Sequence, residues 1–203
     1  MRSVTKRPRG RPGGTTVGSL LEALERMLGQ GRSFTTVSVD ELAREAGISR
    51  ATFYLHFRNK GDVVRRLMEE VEKEVAAAAG DWFSAPEEVT RDGLRGVMRQ
   101  LVAIYDRHRA AIRAIVETAA YDPEIAEAFG VFMQRVIGNT RHTLLRLQAA
   151  GLARPEVPPE AVDALAWMVE RSLFQLLERP DGEAREKVAD ALAHVVWSAL
   201  RAA

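Results

Sequence analysis

The sequence predicts an all-α fold of about nine helices: an N-terminal helix-turn-helix head on a larger helical body. Three observations carry this expectation. Apolar residues recur every three or four positions along most of the chain, the spacing that lines one helix face. Capping residues and glycines punctuate those stretches where helices must begin and end. No segment alternates apolar and polar residues well enough to make a strand, and no internal repeat stands out.

Residues 1–14 (MRSVTKRPRGRPGG) are basic, rich in Gly and Pro and without apolar periodicity, so they are expected to be a disordered arm in the absence of DNA. From Thr16, the stripe Leu20, Leu21, Leu24, Met27 and Leu28 makes a first helix that Gly29 to Gly31 ends. Ser38 with Glu41 three residues later is a capping box. It opens a short helix with Leu42 and Ala43 inward, stopped by the permissive backbone of Gly47. Ser49 then caps a second short helix, whose Phe53 and Phe57 share one buried face. Asn59 caps a fourth helix, with Val63, Val64, Leu67, Met68 and Val71 inward, continuing through Val75. Its Glu69, Glu70, Glu72 and Glu74 read as a solvated acidic surface rather than a metal site.

Pro86 breaks the pattern over 81–88. A long helix follows from about Thr90 to His108, with Leu94, Val97, Met98, Leu101, Val102 and Tyr105 on its apolar side. A shorter one covers Ala110 to Ala120, and Pro123 suits the start of the next, which runs from about Glu124 to Ala149 and ends at Gly151. The segment RPEVPP (154–159) is a connector, and helices at about Glu160 to Leu177 and Gly182 to Ala202 complete the chain. The expected division is an arm at 1–14, the head at 15–62 and the body at 63–203.

Composition narrows the function. Zero cysteines exclude disulfides, thiolate metal sites and cysteine catalysis. No apolar run is long enough to span a membrane, and the basic N-terminus lacks the apolar stretch of a signal peptide, so a cytoplasmic protein without a membrane partner is expected. His56, His108, His142 and His194 are scattered without metal-ligand spacing; there is no phosphate loop and no nucleophile elbow. No enzyme, metal site or cofactor is expected. The net charge of +1 hides a split: residues 1–66 hold 13 Lys/Arg against 6 Asp/Glu, and the rest hold 16 against 22. Phosphate neutralisation needs local positive charge, which only the first third supplies.

With Phe53 and Phe57 buried, Arg50, Thr52, Tyr54 and His56 point elsewhere on the second short helix. A helix-turn-helix lays such a helix in the DNA major groove, whereas an ordinary helical hairpin needs no polar face there. Arg50 is long enough to reach a guanine edge, and Thr52 can meet a base, a phosphate or a thymine methyl. Tyr54 and His56 suit phosphates, which position the helix without reading sequence. Lys60 adds a charge at the next helix start, and Ser38 and Ser49 are candidate contacts beside their caps. Arg7, Arg9 and Arg11 of the arm suit a minor groove; the alternative is a solubilising tail.

The residues Val39-Asp40-Glu41-Leu42-Ala43, Ala46-Gly47-Ile48-Ser49, Thr52-Phe53-Tyr54 and His56-Phe57, followed by Lys60, resemble the DNA-binding domain of TetR-type transcriptional repressors. Two departures, Ser33 before Phe34 and Ala51 where Gly is frequent, fall outside the expected DNA contacts. The resemblance implies that the matching positions Ser38, Arg50, Thr52, Tyr54, His56 and Lys60 meet a double-stranded operator. One head binds weakly, so a homodimer on a palindrome is expected, with recognition helices roughly 34–36 Å apart. The helix from Ala161 to Leu177 is apolar nearly all round, with Leu165, Met168, Leu173 and Leu176 on one side and Trp167, Phe174 and Leu177 on another. Such a helix must be buried on every side. With the last helix (Val188, Leu192, Val195, Val196, Ala199, Leu200) it is the candidate dimer interface.

Phe132-Met133-Gln134-Arg135, Thr140 and Trp167-Met168-Val169-Glu170-Arg171-Ser172-Leu173-Phe174 are similar to the EthR-like branch of that family. The similarity implies a tunnel for an elongated apolar small-molecule effector, walled by Leu94, Leu101, Tyr105, Phe129, Val136, Ala166, Val169 and Val196, with Met98 and Glu170 as further candidates. Several matched positions carry Trp, Phe or Asn in that branch but Leu, Val or Ala here, which implies a plainer and greasier pocket. Glu170 reads either as a bridge to Arg171 or Arg113, or as an acid facing the pocket. The rival to a ligand-switched regulator is a dimeric DNA-binding regulator without a ligand; a nonspecific nucleoid-type binder is a third reading.

Overall fold

A computed structural model describes residues 16–176 and 182–201, with nothing given for the side chain of Leu176. Arg7, Arg9, Arg11 and Leu177 therefore lie outside the described residues.

The head begins with α1 (Thr16–Gly29), whose Leu20, Ala23, Leu24 and Met27 are buried. The loop after it turns at Gly31, where φ is +83°. Ser38 caps α2 (Val39–Glu45) with both halves of the capping box formed. The turn passes through Gly47 at φ +73°, a value that favours glycine. Ser49 accepts the Thr52 amide and starts α3 (Arg50–His56). Phe53 and Phe57 are buried with ring centroids 5.6 Å apart, so the i, i+4 reading of this helix holds.

Asn59 caps α4 (Lys60–Ala78), which is nearly a turn longer than its apolar pattern indicated. Its early residues Val63, Val64, Leu67 and Met68 join the head core, whereas Val71 belongs to the body core. The segment over 81–88, read as a break, opens with a five-residue helix, α5 (Gly80–Ser84), which buries Trp82. Ten helices are thus present among the described residues, not nine.

Thr90 caps α6 (Arg91–Arg107), and every residue assigned to its apolar side is buried. α7 (Arg109–Ala119) follows after His108 alone. Asp122 caps α8 (Pro123–Ala149), with Pro123 in its first turn. The chain turns at Gly151 (φ +72°) and passes through the connector into α9 (Pro159–Leu176). α10 (Gly182–Leu200) packs along α6, and α9 packs along α8. The described residues contain no strand, only an isolated bridge between Ala153 and Arg201.

Two apolar cores result. The head core takes in Ala111, Ala114 and Ile115 from α7 and Ile125 from α8, so the head is seated on the body rather than tethered to it. The acidic stretch of α4 is not simply solvated: Glu72 pairs with Arg135 of α8, and Glu74 with Arg107 and His108.

Candidate DNA-reading surface and body cavity

On α3, Arg50, Tyr54 and His56 are exposed and Thr52 is half-buried. The Arg50 guanidinium is held on the Asp40 carboxylate at 2.7 Å and lies over the Tyr54 ring, 5.5 Å from its centroid. Hydrogen bonding to Asp40 raises its already high pKa further, so it is cationic throughout. The Thr52 hydroxyl lies 2.8 Å from the Ser49 hydroxyl, and the Ser38 hydroxyl donates to Glu41 at 2.8 Å. These groups are set by local bonds rather than left free to swing. Arg32, then Ser38, hold the Glu41 carboxyl down at about 2.

The Lys60 side chain, expected to meet a phosphate, is engaged by the protein's own backbone in the absence of DNA. Its ammonium donates to the carbonyls of Phe34 (3.0 Å), Thr35 (2.9 Å) and Val37 (3.2 Å), tying the α1–α2 loop to the start of α4. The carbonyls of Thr35 and Val37, and that of Phe34 beside its bond from the Val37 amide, offer the lysine closer partners than solvent does. One surface residue escaped the sequence reading: Leu55, on the same helix as Arg50, is 82% exposed. It lies two residues from both Phe53 and Phe57, which turns it to the side of the helix away from the core.

In the body lies a cavity of about 470 Å³ with predominantly apolar walls, within the usual size range for small-molecule sites. Seven of the ten candidate ligand residues line it: Leu94, Met98 and Leu101 from α6, Val136 from α8, Ala166 and Val169 from α9, and Val196 from α10. Tyr105, Phe129 and Glu170 do not. Phe129 lies beyond Phe132, the last aromatic of the α8 wall, and its ring packs on Trp167 at 6.3 Å. Tyr105 is one turn past Leu101, packed in the core. Burial, then the neighbouring Glu170, push its phenol far above the usual tyrosine range. Glu170 is 6% exposed and forms neither expected bridge. Its Oε2 has no hydrogen-bond partner, and burial raises its pKa. Arg171 instead covers the Phe174 ring.

The walls also include residues that were not among the ligand candidates. Val75, Ala76 and Ala79 come from α4 and its C-terminal cap, Trp82 and Phe83 from α5, and Asn139 and Thr140 from α8. Asn139 supplies an amide to a wall expected to be without one. The Glu72–Arg135 pair also borders the cavity.

Residues 20–67 match the model of bacterial regulatory proteins of the tetR family. Residues 94–201, more than half of the chain, match that of the transcriptional regulator EthR, C-terminal domain. The chain belongs to the TetR family, in its EthR-like branch. It is 32% identical over 203 residues to the HTH-type transcriptional regulator EthR of Mycolicibacterium smegmatis, covering 95% of this chain and 92% of that one. With the EthR of Mycobacterium tuberculosis it shares 32% identity over 182 residues, 87% and 83% of the two chains. The fold is also that of the TetR-family regulator PfmR from Thermus thermophilus (TM-score 0.70, 22% identity, covering 94% and 100%). A ketosteroid transcriptional regulator, KstR2 of Mycobacterium tuberculosis, matches at TM-score 0.63 and 16% identity, covering 94% and 97%.

This TetR-family chain is a DNA-binding transcriptional regulator and not an enzyme. No helix among its described residues is long and apolar enough to cross a membrane.

Proposed function

We propose that the chain is a repressor that binds a palindromic operator as a homodimer and is released by an apolar small molecule in the body cavity. One observation carries this reading. The first half of α4 packs in the head core, while Val75 and Ala76 in its second half form a cavity wall. An occupant that displaces the wall must tilt the helix that anchors the head. DNA tolerates only a narrow spacing between paired recognition helices, so a ligand preferring a different tilt weakens binding by its differential affinity.

In the head (15–62), Arg50 and Thr52 are the base-reading groups, and Leu55 offers apolar contact to a thymine methyl. Ser38, Ser49, Tyr54 and His56 meet phosphates, together with the first amides of α4 where the Lys60 ammonium is otherwise engaged. The basic arm with Arg7, Arg9 and Arg11 adds minor-groove contacts. In the body (63–203), the faces of α9 and α10 bearing Trp167 and Val195 are the dimer surface, both side chains being about two-fifths exposed.

Selection of sites from random duplexes tests the first half of the proposal: a palindrome should emerge, bound by a dimer. Affinity for it is then measured with and without apolar compounds that displace 1-anilinonaphthalene-8-sulfonate from the cavity. Loss of operator affinity at saturation is the expected result. Unchanged affinity would leave a dimeric regulator that this cavity does not switch.

A further inference from the structure

The body matches most of its arginines to acids. Arg95 and Arg99 reach Asp190, Arg107 reaches Glu74, Arg135 Glu72, Arg141 Asp163, Arg146 Glu87 and Arg185 Asp106. A few others, Arg154 among them, lack an acid singly, but Arg109 and Arg113 break this pattern as a pair. They stand four residues apart on α7, both exposed, and neither has an acid, hydrogen-bond or ring partner among the described residues. Like charges at this spacing repel and weaken a helix, so the fold gains nothing from them.

Both line a cleft of about 500 Å³ whose opposite wall is the end of α1 and the loop after it, including Gly29, Gly31, Arg32 and Ser33. Arg32 adds a third guanidinium, held at 2.8 Å by Glu41. A Cβ at Gly29 or Gly31 would meet nothing within 4 Å, so that wall is open backbone. The cleft's own acid is Glu117, one turn beyond Arg113 and paired with neither arginine. The loop leads into the Ser38 cap of α2 and is bound by Lys60 to the start of α4. The cleft thus shares this loop with the head.

We propose that this cleft binds phosphate through Arg109 and Arg113, the phosphates being those of operator DNA flanking the α3 footprint. The assignment of DNA as their source rests on the head acting as the DNA reader. Guanidinium groups suit the site because each offers paired N–H donors to phosphate oxygens and stays charged at any working pH. The cleft thus extends the positive footprint beyond the head, into a body that is acidic overall.

The test uses the full chain, its selected operator with long flanks, and the same duplex trimmed to the α3 footprint. On the long duplex, R109A/R113A should lower the log–log salt slope by about 0.9 for each phosphate that a protomer no longer neutralises. Affinity should fall roughly tenfold at low salt, with thermal unfolding unchanged. R109K/R113K, which keeps the charges, should retain most of the slope. On the trimmed duplex, wild type and R109A/R113A should bind alike. Calorimetric titration of the DNA-free protein with pyrophosphate separates the two sources. Pyrophosphate binding that R109A/R113A abolishes, with the long-duplex slope unchanged, supports the phosphate site but assigns it to a free anion. An unchanged slope with no pyrophosphate binding by wild type overturns the site. If wild type prefers no duplex, the DNA-reading proposal fails by itself and the pyrophosphate titration alone judges the cleft.

Discussion

Arg50, the proposed base-reading side chain, is already organised by its neighbours. Its guanidinium sits on Asp40 at 2.7 Å and on the Tyr54 ring, so a guanine or phosphate must replace an existing carboxylate partner. Both ends of that pair are more than half exposed, and the trade therefore costs little. Asp40→Asn should strengthen binding a few-fold on operator and non-operator duplexes alike, since it removes a competitor and a charge that repels phosphate. Arg50→Ala should instead weaken operator binding by roughly 5- to 150-fold, the range of one good base contact. Fluorescence anisotropy on both duplexes measures each; a weakened Asp40→Asn would mean that Asp40 orients Arg50 rather than competing for it. Glu41 gives a pH-dependent counterpart. Its folded pKa of about 2 lies below the ordinary 4.5, so its stabilisation is fully present above 4.5 and disappears as pH falls through 2. Glu41→Gln should consequently lower the thermal midpoint at pH 7, with the difference shrinking as pH falls towards 2 and vanishing below it.

Element by element, what the sequence revealed was what local chemistry decides. Ser38, Ser49 and Asn59 cap helices as expected because each cap needs only a neighbouring amide, and Thr90 and Asp122, not read as caps, do the same. α5 has no side-chain cap and is too short for periodicity; its Trp82 is buried by tertiary packing, with Thr143 of α8 donating to the Trp82 carbonyl. The α6 wall of the cavity, Leu94, Met98 and Leu101, was legible because that helix has one strong apolar stripe, whereas Val136, Ala166, Val169 and Val196 came from the family resemblance. The α4 wall was not legible, because Val75 and Ala76 look like the continuation of a core stripe until α5 and α8 are placed around them. α9 was the hardest to orient. A helix apolar all round does not itself say which face turns outward, and its neighbours put Leu173 inside (2% exposed) and Trp167 outside (43%). A charge at Leu173 would therefore damage the subunit core rather than the dimer alone. Trp167→Glu and Val195→Glu are the cleaner probes: each should yield a folded monomer with much weakened operator binding. Sedimentation of both variants as intact dimers would place the interface elsewhere.

At the scale of the whole molecule, head and body are joined through α4 and the corner between α6 and α7. His108 stands at that corner with one ring nitrogen 2.8 Å from Glu25 of α1 and the other 3.1 Å from Glu74 of α4. Glu74 is also bonded to Arg107 at 2.8 Å, so the head's first helix, the linking helix and the body share one polar node. Across the cavity, the Glu72–Arg135 pair fastens the same α4 to α8. In the proposed switch, a ligand that moves Val75 and Ala76 works against both attachments, and α4 acts as the lever. Val169→Trp introduces an indole from α9 into the cavity that α4 borders. Filling that space should abolish displacement of 1-anilinonaphthalene-8-sulfonate by apolar ligands and fix α4 in one tilt. Operator affinity would then be insensitive to ligand, at whichever level that tilt dictates. A Val169→Trp variant whose operator affinity still dropped on adding ligand would place the effector outside this cavity and end the lever mechanism.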